Sequence, residues 1–443
     1  MPPFPAPFKP VPVRAFLAAA LLLTGKATLA QSTAPAPATP PANTLEAALE
    51  NSLGNESVPG DARPTLRARA LNCPTALAAP YGATRLQVGL YWYGPGQPGA
   101  PGGVGCRARP DGAAMPGYYD PARPVILFVH GWQPRSVQKG LVPPAAGRAP
   151  TQSTRRENFW FAAAGQNVAD AWLAAGWNVG LYHWTQLADD ESMGLLPYNA
   201  QAKLWTASYS YTGAGGQPVK VGMRFSTPAG YTLTGAPRKP VGALFYDAYR
   251  SALSRWTYAG PEPVRVLGHS LGAQLTLALA EQAYADPALP PRQRPARLVL
   301  ADPYWTPATP GSGHGYGYLA PDANPAARSA RIAAAVSAQG AVIEWVKSSA
   351  VLDLGGDNNA ALLNTASRAE LLPEFIPAVN GSARHDSAPR WYLSTLTAPN
   401  GAVSAAHDLN TARTLMNLRV PFVQTRGAAT PDPADDRFGV PGP

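Results

Sequence analysis

The sequence predicts an α/β fold built on a doubly wound, mostly parallel sheet with one inserted cap segment. Short apolar runs rich in β-branched and aromatic residues recur along the chain, and several are continuously apolar rather than alternating. Stretches with apolar residues at three- and four-residue steps lie between these runs, which is typical of strands alternating with helices. The alternation stops between residues 185 and 240, and an interval of this length predicts an insertion.

The individual elements follow from these runs in chain order. The predicted strands are RLQVGLYWY (85–93), VILFVH (125–130), WNVGLYHW (177–184), VRVLG (264–268), RLVLA (297–301) and AVIEWV (341–346). The predicted helices are residues 158–176, which end at a glycine suited to a C-cap, then 241–256 and 271–285. Within the inserted segment, the glycine-punctuated run VKVGMRFSTPAGYTLTG predicts a β-hairpin, and such insertions commonly shape a substrate pocket.

The N-terminal residues 1–30 have the composition of an export signal. Lys9 and Arg14 precede the apolar run AFLAAALLL, and small residues lead up to Ala30. The apolar run is too short to span a bilayer, so it predicts a signal peptide cleaved near Ala30, with a retained membrane anchor as the alternative. We therefore expect the protein to be secreted or periplasmic.

Composition also separates the body of the chain from its flanks. Residues 31–64 and 427–443 are rich in Ala and Pro and poor in large apolar side chains. Such segments cannot bury enough surface to offset the entropy of ordering, so they predict a disordered leader and a disordered tail. Residues 65–426 remain as one folded catalytic domain that contains the inserted cap.

Charge and cysteine content restrict the function classes further. The net charge of +9 falls to +6 without the signal segment, and the basic residues are scattered rather than clustered. This distribution argues against a nucleic-acid partner. The two cysteines, Cys73 and Cys106, predict one disulfide in an exported chain, and without paired C-x-x-C spacing they predict no metal site.

A serine framed by two glycines carries the strongest functional signal. Ser270 lies in GHSLG between the predicted strand 264–268 and the predicted helix 271–285. A sharp strand-to-helix turn that exposes a nucleophilic serine leaves no space for side chains two residues away on either side. The Leu271 N–H, at the positive end of that helix, is suited to stabilise an oxyanion. A phosphate-binding loop is excluded because no Gly-Lys-Ser/Thr follows.

A nucleophilic serine needs a base and an orienting acid, and the sequence offers alternatives for both. Asp302 directly follows the strand 297–301, whereas Asp353 lies beyond the next predicted strand. With the order Ser, Asp, His, the base comes from His314, His385 or His407. His385, predicted on a polar loop before a helix-like run, is preferred and His407 is the runner-up.

Several separated motifs together resemble a known enzyme group. They are HGW (130–132), GHSLGA (268–273), ADP (301–303) and a late histidine followed by an aromatic pair. This order is similar to the secreted lipase group of α/β hydrolases, with pancreatic-lipase-like enzymes as the nearest pattern. The resemblance covers about residues 120–395 and implies the α/β-hydrolase fold.

The resemblance also assigns roles to residues at the matching positions. It implies Ser270 as nucleophile, Asp302 as acid and His385 as base, with the Trp132 N–H and the Leu271 N–H forming the oxyanion hole. His130 is expected to shape the oxyanion loop, His183 to lie in the core or pocket wall, and His269 to be a packing residue.

The chain departs from that pattern in ways that affect the substrate more than the chemistry. Tyr304 and Trp305 replace the small residues that usually follow the Asp-Pro pair in that group. Gln274 stands at a position where the animal enzymes of the group often have a histidine. The chain after His385 is too short for a C-terminal β-sandwich, and two cysteines are too few for a disulfide-bounded lid.

The predicted function is an exported serine hydrolase that cleaves carboxylic esters, a lipase or esterase acting through an acyl enzyme. No metal or organic cofactor is required, and the expected partners are an ester or lipid substrate and a transient lipid surface. A peptidase on the same scaffold is one alternative, because the triad does not distinguish esters from amides. A non-catalytic binding protein of hydrolase fold is the other, and it predicts a missing acid or base.

Overall fold

The architecture is that of an α/β protein with an eight-stranded mixed sheet. The computed structural model describes residues 73, 84–94, 105–134, 137, 168–190, 196–212, 216–261, 263–309, 315–352, 356–371, 373, 376–394, 423–425 and 437–439. The main sheet contains β1 Gly89–Tyr93, β2 Cys106–Arg107, β3 Val125–Val129, β4 Asn178–His183, β9 Val264–His269, β10 Arg297–Ala301, β11 Val342–Lys347 and β12 Ser367–Glu370. All six predicted strands are confirmed, and β2 and β12 are additions at the two edges.

Strand order explains the doubly wound topology. The order across the sheet is β12-β11-β10-β9-β3-β4-β1-β2, and every neighbouring pair from β12 to β4 is parallel. Only β1 and β2 run antiparallel to their neighbours. From β3 the chain moves first to β4 on one side and then returns to β9 on the other. The carboxyl ends of β3 and β9 therefore flank the point where the winding reverses, which in open α/β sheets is where ligands bind.

Helices cover both faces of this sheet. They are α1 Val168–Ala174, α2 Thr185–Ala188, α3 Tyr198–Trp205, α4 Val241–Ala252, α5 Leu271–Ala285, α6 Pro325–Ser337 and α7 Gly381–Ser394. The prediction for 271–285 is confirmed, that for 241–256 ends four residues early at Ala252, and residues 158–167 of the first predicted helix lie outside the described residues. The α6 helix was not predicted.

Alternate residues of one strand enter separate cores on the two faces. In β3, Val125, Leu127 and Val129 pack in a cluster with α4, α5 and α6, whereas Ile126 and Phe128 pack in a second cluster with α1 and α7. All five are fully buried. This is the reason for the continuously apolar run in the sequence, since neither face of the strand meets water.

The described residues of the inserted segment 185–240 add no strand to the main sheet. It contains α2 and α3, followed by two hairpins rather than the single predicted one. The hairpins pair β5 Ser208–Thr212 with β6 Pro218–Gly222, and β7 Phe225–Thr227 with β8 Gly230–Thr232. The second hairpin turns through Pro228 and Ala229, and Gly230, the first residue of β8, has a φ of 113°, which favours glycine.

The two chain flanks fall mostly outside the described residues, including the predicted signal peptide and leader. Three residues of the predicted disordered tail 427–443 instead form β14 Arg437–Gly439, which pairs antiparallel with β13 Val423–Thr425. Main-chain pairing with β13 gives this short segment a defined conformation despite its composition. Among the described residues, no helix has both the length and the apolarity needed to cross a bilayer.

Candidate active site

The turn between β9 and α5 holds Ser270 in an unusual backbone conformation. Its φ is 57° and its ψ is −125°, a region that non-glycine residues rarely occupy and that is often found at functional sites. A Cβ on Gly268 would lie 2.3 Å from the Gly272 carbonyl oxygen, and one on Gly272 would lie 2.2 Å from the Val129 carbonyl oxygen. Both glycines are therefore sterically required, as the GHSLG spacing predicts.

The loop after β3 comes into direct contact with this serine. A Cβ on Gly131 would lie 2.6 Å from Ser270 Cβ and 3.1 Å from Ser270 Oγ, so only glycine fits between the loop and the nucleophile position. The Trp132 N–H and the Leu271 N–H belong to the loop and to the first residue of α5. No described residue accepts a hydrogen bond from either N–H.

His130 fixes the direction of one of these N–H groups. Its Nε2 accepts a hydrogen bond from the Trp184 N–H at 3.2 Å, so the ring proton lies on Nδ1, which donates to the Gly131 carbonyl oxygen at 2.9 Å. In a trans peptide the carbonyl and the following N–H point in opposite directions. The Trp132 N–H is therefore directed away from the His130 ring. Burial lowers the pKa of His130 to about 4, so the ring is neutral at neutral pH.

The first residues of the inserted segment support the same loop. The Trp132 indole Nε1–H donates to the Asp190 carbonyl oxygen at 3.0 Å, and the Gln133 N–H donates to the Ala188 carbonyl oxygen at 3.2 Å. The Asp190 carboxylate is itself buried between Lys203 Nζ at 2.6 Å and Arg224 at 2.7 Å. This ion cluster, which the sequence did not reveal, ties the insertion to the loop beside Ser270.

Asp302 and His385 are in hydrogen-bonding contact across 83 residues of chain. Asp302 follows β10, next to β9 in the sheet, and its Oδ2 lies 2.5 Å from His385 Nδ1. Both side chains are buried. Since the carboxylate accepts the Nδ1 proton, the other ring nitrogen, Nε2, is left to act as a base. Ser270 Oγ makes no hydrogen bond to a described residue. Hydrogen bonds between a nucleophile and its base often form only when substrate binds.

The Asp302 carboxylate is held by the residues that follow β11. Its Oδ1 accepts the N–H of Ser348 at 2.8 Å and the N–H of Ser349 at 3.1 Å, and its Oδ2 accepts the Ser349 hydroxyl. Asp302 itself has a φ of 39°. The sequence did not predict a role for these serines, because a Lys-Ser-Ser run after a strand carries no signal of its own.

The position of His385 differs from the predicted polar loop. It lies inside α7, a 14-residue helix that covers the face of the sheet opposite α5. The predicted loop was wrong, because the polar residues before the helix-like run belong to the same helix, which continues through Pro389. The ring of His269, predicted as a packing residue, packs at a tilt of 44° against the His385 ring, with centroids 4.4 Å apart.

No protein-family model matches this chain, and no curated protein matches it. The alternative acid Asp353 and the alternative bases His314 and His407 lie outside the described residues. The described residues contain no group of His, Cys, Asp and Glu side chains arranged to hold a metal ion.

Gln274 links α5, the helix after Ser270, to the residues that follow Asp302. Its Nε2 donates to the Gln201 Oε1 of α3 at 2.9 Å and to the Tyr304 carbonyl oxygen at 2.7 Å. The Tyr304 N–H in turn donates to the Ser270 carbonyl oxygen at 3.3 Å. Gln274 and Tyr304 thus form one network beside Ser270.

Cys73 and Cys106 form the disulfide expected from the sequence. Their Cα atoms are 5.7 Å apart, and the bond joins residue 73 to β2 at the edge of the main sheet. Cys106 is fully buried. The bond therefore attaches the segment before β1 to the sheet.

Proposed function

We propose that the protein is an exported serine hydrolase that cleaves carboxylic esters and adopts the α/β-hydrolase fold. The observation that carries the proposal is the hydrogen bond between His385 Nδ1 and Asp302 Oδ2. It lies at the carboxyl end of the parallel strands, where Ser270 occupies a strained turn. Acid, base and nucleophile candidates thus come from three separate parts of the chain. Their convergence at the carboxyl end of the parallel strands argues against a non-catalytic binding protein.

In the proposed reaction, His385 Nε2 removes the Ser270 hydroxyl proton as Oγ attacks the ester carbonyl carbon. Asp302 keeps the Nδ1 proton in place and stabilises the imidazolium that forms. The Trp132 and Leu271 N–H groups donate to the oxyanion of the tetrahedral intermediate. His385 then protonates the leaving alcohol, and the same cycle with water releases the acid from the acyl enzyme.

The oxyanion hole is supported by what surrounds it rather than by sequence position alone. The His130 ring holds the Gly131 carbonyl, so the adjoining Trp132 N–H is fixed before substrate arrives. The Leu271 N–H belongs to the first turn of a 15-residue helix, where the helix dipole favours negative charge. Donors fixed in advance need no reorganisation when charge develops.

Hydrolysis of p-nitrophenyl esters of increasing chain length, measured with the mature protein, tests this proposal. We expect hydrolysis that Ser270→Ala reduces by more than about 10⁴-fold, because the nucleophile is removed. Ser254→Ala, which deletes an exposed hydroxyl after α4, is the matched control and should retain full activity.

Covalent labelling gives a second reading that does not depend on the choice of ester. A fluorophosphonate probe should modify the wild-type protein at Ser270 and leave Ser270→Ala unlabelled. Wild-type protein that neither hydrolyses any ester in the series nor reacts with the probe would contradict the proposal. Cleavage of anilide substrates at rates matching the esters would instead identify a peptidase on the same scaffold.

A further inference from the structure

The helix that carries the base contains a proline at a position that frees one carbonyl group. In an α-helix the N–H of each residue donates to the carbonyl four residues earlier. Pro389 lies inside α7 and has no N–H, and its ring crowds the carbonyl four residues before it. That carbonyl belongs to His385. The helix continues, but the His385 carbonyl lacks its usual helical donor.

A second histidine donates a hydrogen bond to this carbonyl. His269 Nε2 lies 3.1 Å from the His385 carbonyl oxygen, and because a carbonyl only accepts, the His269 proton is on Nε2. Both histidines are buried, and their rings are 4.4 Å apart with an interplanar angle of 44°. His269 ends β9 and directly precedes Ser270. One residue therefore connects the strand that carries the nucleophile to the main chain of the base.

The neighbouring carbonyl of α7 is also held from the sheet. The Ser348 hydroxyl donates to the Arg384 carbonyl oxygen at 2.5 Å, just after β11. Asp302 thus holds the ring of His385 at Nδ1, and His269 and Ser348 hold two consecutive main-chain carbonyls, those of His385 and Arg384. A displacement of the ring by about 1 Å is enough to impair proton transfer strongly.

We infer that His269 is a positioning residue for the proposed hydrolysis: it holds the His385 main chain through the carbonyl that Pro389 leaves without a helical donor. This inference rests on the proposed function for its catalytic consequence. The hydrogen bond itself is a property of the folded chain and is testable separately. It replaces the expectation that His269 only fills space.

A double-mutant cycle between positions 269 and 389 tests the inference. His269→Phe keeps a flat ring but removes the donor, so we expect kcat to fall about tenfold with KM nearly unchanged. His269→Gln retains an N–H donor and should recover most of the loss. Pro389→Ala supplies a helical N–H to the same carbonyl, so in that background His269→Phe should lower kcat by no more than about twofold.

The matched control uses a proline that frees no carbonyl. Pro325 occupies the first turn of α6, where the missing N–H has no helical partner in any case. In a Pro325→Ala background, His269→Phe should still lower kcat about tenfold, to within a factor of two. Thermal unfolding of every variant, measured in parallel, shows whether the protein is folded and whether the same coupling appears in stability.

The outcomes separate this inference from the proposed function. Coupling between 269 and 389 in kcat and in the rate of fluorophosphonate labelling supports the positioning role. Additive effects, or coupling in stability with kcat unaffected by His269→Phe, would overturn it while leaving the hydrolase proposal intact. Wild-type protein without hydrolysis or labelling would overturn both, and coupling in stability would then establish only a structural hydrogen bond.

Discussion

Replacing Asp302 by asparagine changes one atom of the acid and has a consequence that the hydrogen bonds around it determine. Oδ1 accepts two main-chain N–H groups, those of Ser348 and Ser349, at 2.8 and 3.1 Å. An amide NH₂ cannot face two N–H donors, so the asparagine oxygen must occupy the Oδ1 position. Its NH₂ group is then directed at His385 Nδ1, at the site where Oδ2 now accepts at 2.5 Å.

The imidazole must respond by changing tautomer. With a donor opposite it, His385 Nδ1 becomes an acceptor and the ring proton moves to Nε2. Nε2 can then no longer take the Ser270 proton, although the shape of the site is almost unchanged. We expect Asp302→Asn to lower kcat by about 10⁴-fold with little change in KM, equivalent to about 5.5 kcal/mol of transition-state stabilisation.

Initial rates of p-nitrophenyl butyrate hydrolysis at neutral pH measure this effect, with circular dichroism to establish that the variant folds. Asp353→Asn, which changes the alternative acid in the same way, is the control and should remain within a few-fold of wild type. Retention of more than about one-tenth of kcat in Asp302→Asn would refute the tautomer argument. An Asp353→Asn variant that is inactive instead would place the acid after β11.

Three further predictions concern the surroundings of the triad and the disulfide. Ser349→Ala removes a hydroxyl donor from the Asp302 carboxylate and should lower kcat about tenfold, whereas Ser349→Thr, which keeps the hydroxyl, should restore it. Burial lowers the pKa of His130 from 6.5 to about 4, so the folded state binds fewer protons than the unfolded state within this range. The free energy of unfolding should therefore fall by about 3 kcal/mol as pH drops from 6.5 to 4, and a His130→Gln variant measured by urea titration should lack this component. Thiol titration of the denatured, unreduced mature protein should find no free thiol, and two reactive thiols would contradict the Cys73–Cys106 bond.

Local sequence was sufficient for features that depend on neighbouring residues. Continuous apolar runs predicted the inner strands because both faces of each strand are buried. The two glycines around Ser270 predicted the strained turn, since a side chain at either position would clash with nearby main-chain atoms. The cysteine pair was equally readable, because no other pairing exists in this chain.

Features that depend on strand order required the tertiary structure. Asp302 directly follows one predicted strand and Asp353 lies beyond the next, so strand ends alone left both as candidates for the acid. What brings Asp302 to His385 is the position of β10 beside β9, together with two serines after β11 that hold the carboxylate.

The conformation around His385 was misread for a related reason. A proline among polar residues suggests a loop when only local preferences are considered. In the fold, α7 packs against the sheet, and His269 donates to the carbonyl that the proline leaves free. The sequence by itself thus determined the inner strands and the strained turn at Ser270, while the placement of Asp302, His385 and His269 depended on contacts between segments 83 or more residues apart. Such contacts leave no local pattern, because each is made by side chains whose only shared property is their final position.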